Sequence, residues 1–317
     1  MAADGSVRQK LTALLLGLMC FYMSTNTILL HIRNLSRPSP GFVDPLQFGF
    51  KLPPDSWVIP SVLFVIDTTE KNYNTRVKDI RNTYMKRVSE KSTLDLIFVG
   101  SIETDGSDNI IASSCPMGYW EDSCKRADMI TAAYDRLTSG GANSSDWIFF
   151  ADDDAYLLPD NIQRMIMSLG PDAVNREAVW GIPACVKDGC NGLCGGGGYF
   201  TNRATLAKIQ LGGDKAKYPS IRNETNKFDE ECGRCGDLTI ARVIRDHRHI
   251  PLVMYPKGSY TWHFEDHKNG DAGLIQSLNT TDPIPWLYHY PAKNRFHHLH
   301  MLAVEMGSNK KLPDDSS

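Results

Sequence analysis

The sequence has no excess of positive charge. Its 317 residues carry 34 Lys and Arg against 37 Asp and Glu, a formal net charge of -3. Nucleic-acid-binding domains usually present a basic face, so a nucleic-acid partner is not expected. Internal repeats and low-complexity tracts are also missing, so the chain is not a repeat array. The glycine run 195–198 lacks the spacing of a Walker or Rossmann phosphate loop, which excludes both of those motifs.

An uncharged apolar run covers residues 11–30 near the start of the chain. As a helix this run would span about 30 Å, the thickness of one bilayer core. We therefore predict a transmembrane signal-anchor. Thr25, Asn26 and Thr27 weaken the second half of the run. A cleaved signal peptide with Leu11–Phe21 as its apolar core is the alternative.

The chain after this run has features of a secreted or lumenal protein. Seven of its eight cysteines lie there, together with four N-glycosylation sequons, at Asn34, Asn143, Asn223 and Asn279. Paired cysteines and several sequons favour an oxidising lumen. The predicted location is the Golgi or ER membrane, with a single-pass type II topology and the bulk of the chain in the lumen.

Strand and helix patterns alternate along the lumenal part. The predicted strands are Val62–Ile66, Leu94–Val99 and Trp147–Ala151, and the predicted helices are Asn72–Lys86, Lys125–Leu137 and Pro159–Leu169. This order predicts an α/β fold with a mostly parallel, twisted sheet flanked by helices. Ligands of such sheets bind at the carboxyl ends of the strands.

Three consecutive aspartates, Asp152, Asp153 and Asp154, end the third predicted strand. Like charges at the mouth of a buried strand are unfavourable unless a cation or hydrogen-bond donors compensate. Side chains two residues apart in an extended segment share a face, so Asp152 and Asp154 form a candidate site for Mg²⁺ or Mn²⁺. The alternative is a solvated acidic turn, or a helix N-cap before Pro159.

Two other segments are predicted to reach the same strand ends. Thr68, Thr69 and Arg76 follow the first strand, and such hydroxyls with an arginine suit a nucleotide diphosphate. A helix N-cap followed by a solvated helix is the alternative. Gly196, Gly197 and Gly198 allow a close approach of backbone to ligand. Alternatively, this run is only a flexible loop.

Asp237 and His263 complete the set of candidate residues. Asp237 opens a helical run, where it is either a functional carboxylate or only a favourable charge at the helix start. His263 follows a strand-like stretch and lies beside the polar cluster 265–267. A metal ligand is one interpretation of His263, and a structural or exposed histidine is the other.

The order of these motifs resembles the Fringe-like glycosyltransferases of family 31, which include the core 1 β1,3-galactosyltransferases. The resemblance covers roughly residues 60–267. Its segments are Val65–Thr69 with Arg76, Cys115 with Ser123–Lys125, Ala133–Arg136, Phe150–Tyr156, Gly195–Phe200, Asp237–Ile240 and Trp262–His263. The resemblance implies a glycosyltransferase-A-like fold.

The resemblance also implies an activity and site roles. The enzyme would be an inverting β1,3-glycosyltransferase that moves galactose or N-acetylglucosamine from a UDP-sugar to a glycan or glycoprotein acceptor. Asp154 and His263 would hold Mn²⁺, with Mg²⁺ as the alternative, because mixed carboxylate and imidazole ligation favours Mn²⁺. Asp152 and Asp153 would orient the donor or the waters of the metal. Asp237 would be the general base.

The implied organisation has five segments. They are a cytoplasmic tail (1–10), the signal-anchor (11–30), a stem (31–58), the lumenal glycosyltransferase domain (59–305) and a disordered tail (306–317). Within the domain, residues 59–170 would bind the nucleotide and residues 171–305 the acceptor. A catalytically silent chaperone or glycan-binding protein of the same fold, and a metal-dependent phosphoesterase, are the other functional classes.

Two substitutions, together with the cysteine pattern around the glycine run, depart from the family pattern. Ala241 stands where the family has glycine, and Gly236 replaces the acidic neighbour of the base. The similar Fringe pair implies a bridge between Cys115 and Cys124. A second cluster is predicted to contain at least one bridge, from Cys190 or Cys194 to Cys232 or Cys235, with a structural zinc as the alternative. This cluster also includes Cys185, and its odd number leaves either a free thiol or a link between two copies in a homodimer.

Overall fold

Strands and helices alternate through the part of the chain that the structure describes. The computed structural model describes residues 42–43, 58–101, 109–115, 122–139, 145–187, 190–193, 195–212, 220–254, 287–289, 297 and 300–301. The strands are β1 Phe42–Val43, β2 Val62–Asp67, β3 Leu94–Gly100, β4 Ile110–Ala112, β5 Trp147–Asp152, β6 Ala155–Leu157, β7 Val179–Gly181, β8 Pro183–Lys187, β9 Cys190–Leu193, β10 Tyr199–Asn202, β11 Leu252–Met254 and β12 Leu287–His289. The α-helices are α1 Lys78–Asn82, α2 Tyr84–Ser89, α3 Asp122–Thr138, α4 Pro159–Ser168, α5 Arg203–Leu211, α6 Ile221–Phe228 and α7 Gly236–Arg242.

The main sheet has the strand order β1-β11-β7-β10-β5-β2-β3-β4. Strand β10 runs antiparallel to β5 and β7, whereas the other described pairs in this sheet are parallel. Two small antiparallel pairs, β6 with β12 and β8 with β9, lie beside it. The expected α/β class with a mostly parallel sheet is confirmed.

Both faces of the sheet are covered, which explains why β2 is apolar at every position from Val62 to Ile66. Its even-numbered residues pack in one core with Ile80 of α1 and Ile162 of α4. Its odd-numbered residues pack in a second core with α3, α5 and α7. A strand that is buried on both faces loses the alternation of apolar and polar residues. Helices therefore flank the sheet on both sides, as predicted.

The segment predicted as one helix over 72–86 is instead a series of short helical pieces. It begins with a 3₁₀ turn at Glu70–Asn72 and a π turn at Tyr73–Val77, and α1 and α2 follow. The break between α1 and α2 falls at Thr83, where φ is -120° and ψ is -110°. The Thr83 hydroxyl donates to the Asp79 carbonyl, 2.7 Å away. Such side-chain bonds to the preceding turn compete with the regular helix.

The described residues form two disulfides, Cys115–Cys124 and Cys190–Cys232. The first is the expected bridge, and the second is one of the predicted pairings in the cysteine cluster. Cys235 is a free thiol. The side chain of Cys185 and the whole of Cys194 fall outside the described part of the chain. Because one bridge uses two of the five clustered cysteines, no four of them remain for a structural zinc.

Within the described residues, no helix combines the length and the apolar character that a membrane crossing requires. The predicted anchor at 11–30 lies outside those residues, as do the tail at 1–10, most of the stem and the segment 306–317. The predicted bounds of these segments therefore stay predictions.

Candidate active site at the carboxyl end of the sheet

The three aspartates lie where β5 ends at the carboxyl edge of the sheet. Asp152 is the last residue of β5 and is paired in register with Asp67, the last residue of β2. Asp153 and Asp154 form the turn that leads into β6. The Asp153 amide donates to the Asp67 carbonyl, 3.0 Å away. Two neighbouring parallel strands therefore bring their terminal carboxylates to one place.

Two of the three residues that hold Asp153, Thr68 and Arg76, are residues that the sequence assigned to the nucleotide. Its carboxylate accepts hydrogen bonds from Thr68 Oγ1 at 2.7 Å, Asn72 Nδ2 at 2.8 Å and Arg76 Nη1 at 2.7 Å. Burial raises the pKa of Asp153, although these three donors oppose the rise. Thr68 and Arg76 thus fix the aspartate turn. Thr69 directly precedes the 3₁₀ turn without capping it. Contact of these side chains with a nucleotide stays a prediction.

A candidate metal cluster is formed by Asp152, Asp154 and His289, whose ligand atoms all lie within 4.8 Å of one another. His289 Nε2 is 3.4 Å from Asp154 Oδ1, and the imidazole is buried. The pairing of β12 with β6 explains this position, because it places His289 opposite Ala155, the residue after Asp154. Two carboxylates and an imidazole match the ligand preferences of Mn²⁺. The residues present therefore fit a divalent cation.

His289 was not predicted from the sequence. The predicted ligand, His263, lies outside the residues that the structure describes, as do Glu265, Asp266 and His267. The signal that could have found His289 is the short apolar run Leu287-Tyr288 in front of it. Nothing in that run indicates, however, that β12 pairs with β6.

The glycine run contacts this cluster. Gly195–Gly197 form a 3₁₀ turn, and Gly198 has φ 71°. A Cβ built on Gly196 would lie 1.9 Å from His289 Nε2. Only glycine at position 196 therefore lets the imidazole reach its place beside Asp154. A side chain of the protein thus approaches this backbone closely, and the predicted approach of the backbone to a ligand stays a prediction.

We expect Gly196→Ala to weaken Mn²⁺ binding by at least about tenfold, because a methyl group would displace a ligand or its support. Calorimetric titration with Mn²⁺ measures this. Gly192→Ala is the control, since its Cβ would meet Ala241 and Leu238 at 3.0 Å, away from His289. The control should lower the melting temperature and leave Mn²⁺ affinity unchanged. Equal Mn²⁺ affinity in both variants and the wild type would contradict this role of Gly196.

Asp237 lies in the first turn of α7 and contacts Arg126 of α3. Arg126 Nε is 3.1 Å from Asp237 Oδ1, and Arg126 Nη1 is 2.6 Å from Asp152 Oδ1. A single guanidinium thus stands between the predicted base and the aspartate run. Burial disfavours the charge of Arg126, but Asp152, Asp237 and other carboxylates more than offset it, so its pKa lies well above the ordinary arginine value.

The two departures from the family pattern have packing reasons in α7. A Cβ on Gly236 would lie 2.4 Å from Asp122 Oδ2 and 2.8 Å from the Asp122 backbone carbon. The start of α7 therefore presses against the start of α3 and leaves no room for an acidic side chain. Ala241 is fully buried and faces Gly192 of β9. The Cys190–Cys232 bridge ties β9 to the segment before α7.

Asp67 supplies a pH-dependent contribution to stability. Burial raises its pKa to about 6 despite Arg126 and Lys125, whose Nζ is 2.7 Å from Asp67 Oδ1. An unfolded aspartate has a pKa of about 3.9. The folded state therefore binds the proton more strongly, and this stabilisation is lost as the pH rises from about 4 to about 6.

We expect Asp67→Asn to gain stability relative to the wild type as the pH rises through that window. A shift of about two pKa units corresponds to roughly 3 kcal/mol. Urea unfolding at pH 4 and pH 7, with EDTA to exclude divalent ions, measures the difference between the two proteins. A difference that stays constant with pH would show that Asp67 does not titrate in this range.

A protein-family comparison matches the part of the chain that contains Thr68, Arg76 and the three aspartates. The model of a family described as Fringe-like matches residues 58–174. Over these residues the chain is similar to that family. The match includes Thr68, Arg76 and the three aspartates, and it ends before the glycine run, Asp237 and His289. It supports the assignment as a nucleotide-sugar glycosyltransferase.

Solved structures with a distantly similar fold include the following three. A glycosyltransferase involved in glycosylation of the major capsid of PBCV-1 is 11% identical, with a TM-score of 0.40 and coverage of 76% of this chain and 99% of that chain. The mannosyltransferase PcManGT from Pyrobaculum calidifontis, in complex with GDP-Man and Mn²⁺, is 13% identical, with a TM-score of 0.37 and coverage of 86% and 72%. The galactosyltransferase LgtC, in complex with donor and acceptor sugar analogs, is 11% identical, with a TM-score of 0.36 and coverage of 77% and 95%. All three similarities are distant.

Proposed function

We propose that the chain is an inverting, metal-dependent β1,3-glycosyltransferase that moves galactose or N-acetylglucosamine from a UDP-sugar to a glycan or glycoprotein acceptor. The observation that carries the proposal is that Asp152, a member of the candidate metal cluster with Asp154 and His289, contacts the same arginine side chain as Asp237. A transferase needs leaving-group stabilisation and an acceptor base close together, and this end of the sheet offers both.

The protein side chains have distinct proposed roles. Asp154 and His289, with Asp152, would hold a divalent cation, which when bound neutralises the charge on the departing diphosphate. Asp153 keeps the aspartate turn in place through Thr68 and Arg76. Arg76 is partly exposed and also lies 3.5 Å from Asp154 Oδ2, so its charge would lie near the diphosphate of a donor bound at the candidate metal cluster.

Asp237 would accept the proton of the acceptor hydroxyl. A positioned general base contributes about 10²–10⁴ in rate. The ion pair with Arg126 favours the ionised carboxylate, which is the form that accepts a proton. In-line attack opposite the diphosphate would invert an α-linked donor to a β-glycoside.

The two disulfides support the proposal that this domain lies in an oxidising lumen. A single-pass type II protein of the Golgi or ER membrane fits that environment. Protease protection of the tagged protein in sealed microsomes tests the topology, since cleavage of the catalytic part without detergent would rule it out.

A donor screen with the secreted lumenal fragment tests the activity. We expect release of UDP from UDP-galactose or UDP-N-acetylglucosamine that depends on Mn²⁺ and rises when a glycan acceptor is added. Mn²⁺-dependent UDP binding with no turnover for any donor and acceptor would favour the silent glycan-binding or chaperone alternative. Hydrolysis of phosphoesters without any need for uridine would favour the phosphoesterase alternative.

The two histidines allow a direct test of the third ligand. We expect His289→Ala to weaken Mn²⁺ binding in the presence of UDP by at least about tenfold, because an imidazole ligand is lost. His263→Ala is the paired variant. Calorimetry on both variants measures the Mn²⁺ affinity. If only His263→Ala loses Mn²⁺ affinity, His263, the residue predicted from the sequence, is the ligand and His289 is not.

A further inference from the structure

Arg126 is the most heavily paired charge in the described part of the chain. Its side chain is only 4% exposed, and four carboxylates surround it. The distances are 2.6 Å to Asp152, 3.1 Å to Asp237, 3.7 Å to Asp122 and 3.9 Å to Asp67. A guanidinium can serve several carboxylates at once because it presents five N–H donors in a rigid plane.

The two shortest contacts use different nitrogens and different elements of the fold. Nη1 contacts Asp152 at the end of β5, and Nε contacts Asp237 in the first turn of α7. Lys125, the neighbouring residue, pairs with Asp67 at 2.7 Å, much closer than the 3.9 Å from Arg126. Arg126 therefore pairs mainly with Asp152 and Asp237.

The packing around Arg126 fixes the distance between its two partners. Gly236 lies so close to Asp122 that a Cβ there would meet its carboxylate at 2.4 Å. Helix α7 therefore starts directly against the first turn of α3, one helical turn before Arg126. Strand β5 is held in the sheet between its two neighbours, β2 and β10. A shift of Asp152 or Asp237 away from the arginine would lengthen its ion pair.

We propose that Arg126 is a positioning residue that holds Asp237 at a fixed separation from Asp152, so that the acceptor base faces the donor end of the site. This inference rests on the proposed function. Arg126 is buried beneath both carboxylates and acts through them. Misplacement of a catalytic group by about 1 Å can cost about 10² in rate, so loss of this support affects turnover more than donor binding.

A variant cycle tests the inference. We expect Arg126→Met to lower kcat at least about tenfold while the donor KM changes less than about threefold. Arg126→Lys, which keeps the charge but loses the planar fork, should recover part of the lost turnover. Adding Arg126→Met to Asp237→Asn should cause little further loss, because the residue that Arg126 positions is already disabled. Arg248→Met is the matched control, since Arg248 is fully buried and pairs with Glu224 at 2.6 Å outside the site.

Several results would overturn the inference. Losses that multiply in the double variant would show that Arg126 acts independently of Asp237, and a similar fall in kcat for Arg248→Met would reduce its role to general stability. Where Arg126→Met does not fold, the lysine variant takes its place in the cycle, with the same expected non-additivity.

The urea-unfolding cycle of the same variants does not depend on activity. Wild-type protein without turnover on any donor would contradict the proposed function. Additive unfolding free energies for positions 126 and 237 would contradict the Arg126–Asp237 link itself, whether or not the wild type is active.

Discussion

Replacement of Asp154 by alanine should abolish transfer, with a loss in turnover of at least about a thousandfold. The carboxylate lies 3.4 Å from His289 Nε2 and shares the candidate metal cluster with Asp152. A bound cation contributes several kcal/mol to stabilisation of the leaving group, and about 1.4 kcal/mol corresponds to a tenfold change in rate. UDP affinity in the presence of Mn²⁺ should fall, while UDP affinity in EDTA should not change.

Asp95→Ala is a matched control for this variant. The Asp95 side chain is 16% exposed against 14% for Asp154, and it also pairs with an arginine, Arg136, at 2.9 Å. Asp95 lies near the amino end of β3, whereas Asp154 lies at the opposite edge of the sheet. Calorimetry and melting temperature on both variants separate loss of the metal from loss of the fold. Wild-type UDP affinity with Mn²⁺ in Asp154→Ala would remove Asp154 from the ligand set.

Much of the fold could be predicted because the local sequence pattern determines it. Strand β2 is apolar from Val62 to Ile66, so its position and its burial follow from its sequence, although the strand extends one residue further, to Asp67. The site followed in part from a general rule, since carboxyl ends of parallel strands meet at one edge. Asp152 and Asp154 converge there, as predicted.

What could not be predicted depends on pairings between distant segments. His289 reaches Asp154 only because β12 pairs with β6, and a three-residue strand has no sequence pattern that specifies its partner. The requirement for glycine at position 196 depends on the same pairing, because the side chain that leaves no room for a Cβ there is His289. Arg126 was missed because a charged residue within a helix pattern usually faces solvent. Its burial follows from four carboxylates contributed by separate parts of the chain.

The break in the predicted helix at Thr83 has a different origin. The apolar residues Val77, Ile80 and Tyr84 have helical spacing, and all three are buried. The spacing carries no information about the backbone angles of Thr83, where φ of -120° and ψ of -110° interrupt the helix. Periodicity thus predicted which side chains enter the core but not how the backbone continues between them.

Replacement of Asp237 by asparagine should preserve donor and metal binding and lower kcat by at least about 10². The amide keeps the size of the side chain, but it loses the negative charge that pairs with Arg126 and cannot accept the acceptor proton. Asp122→Asn is a close control, because Asp122 lies 3.7 Å from the same arginine and has no proposed catalytic role. Its kcat should stay within about threefold of the wild type.

Transfer rates at saturating donor, together with Mn²⁺-dependent UDP affinity, distinguish the roles that remain for Asp237. A residue that only favours the start of α7 would lower the melting temperature on substitution and leave turnover largely intact. A catalytic base gives the opposite pattern, with stable protein, normal UDP binding and slow transfer. Near-normal kcat in Asp237→Asn would move the base elsewhere, with Glu265 and Asp266, beyond the described residues, as the next candidates to substitute.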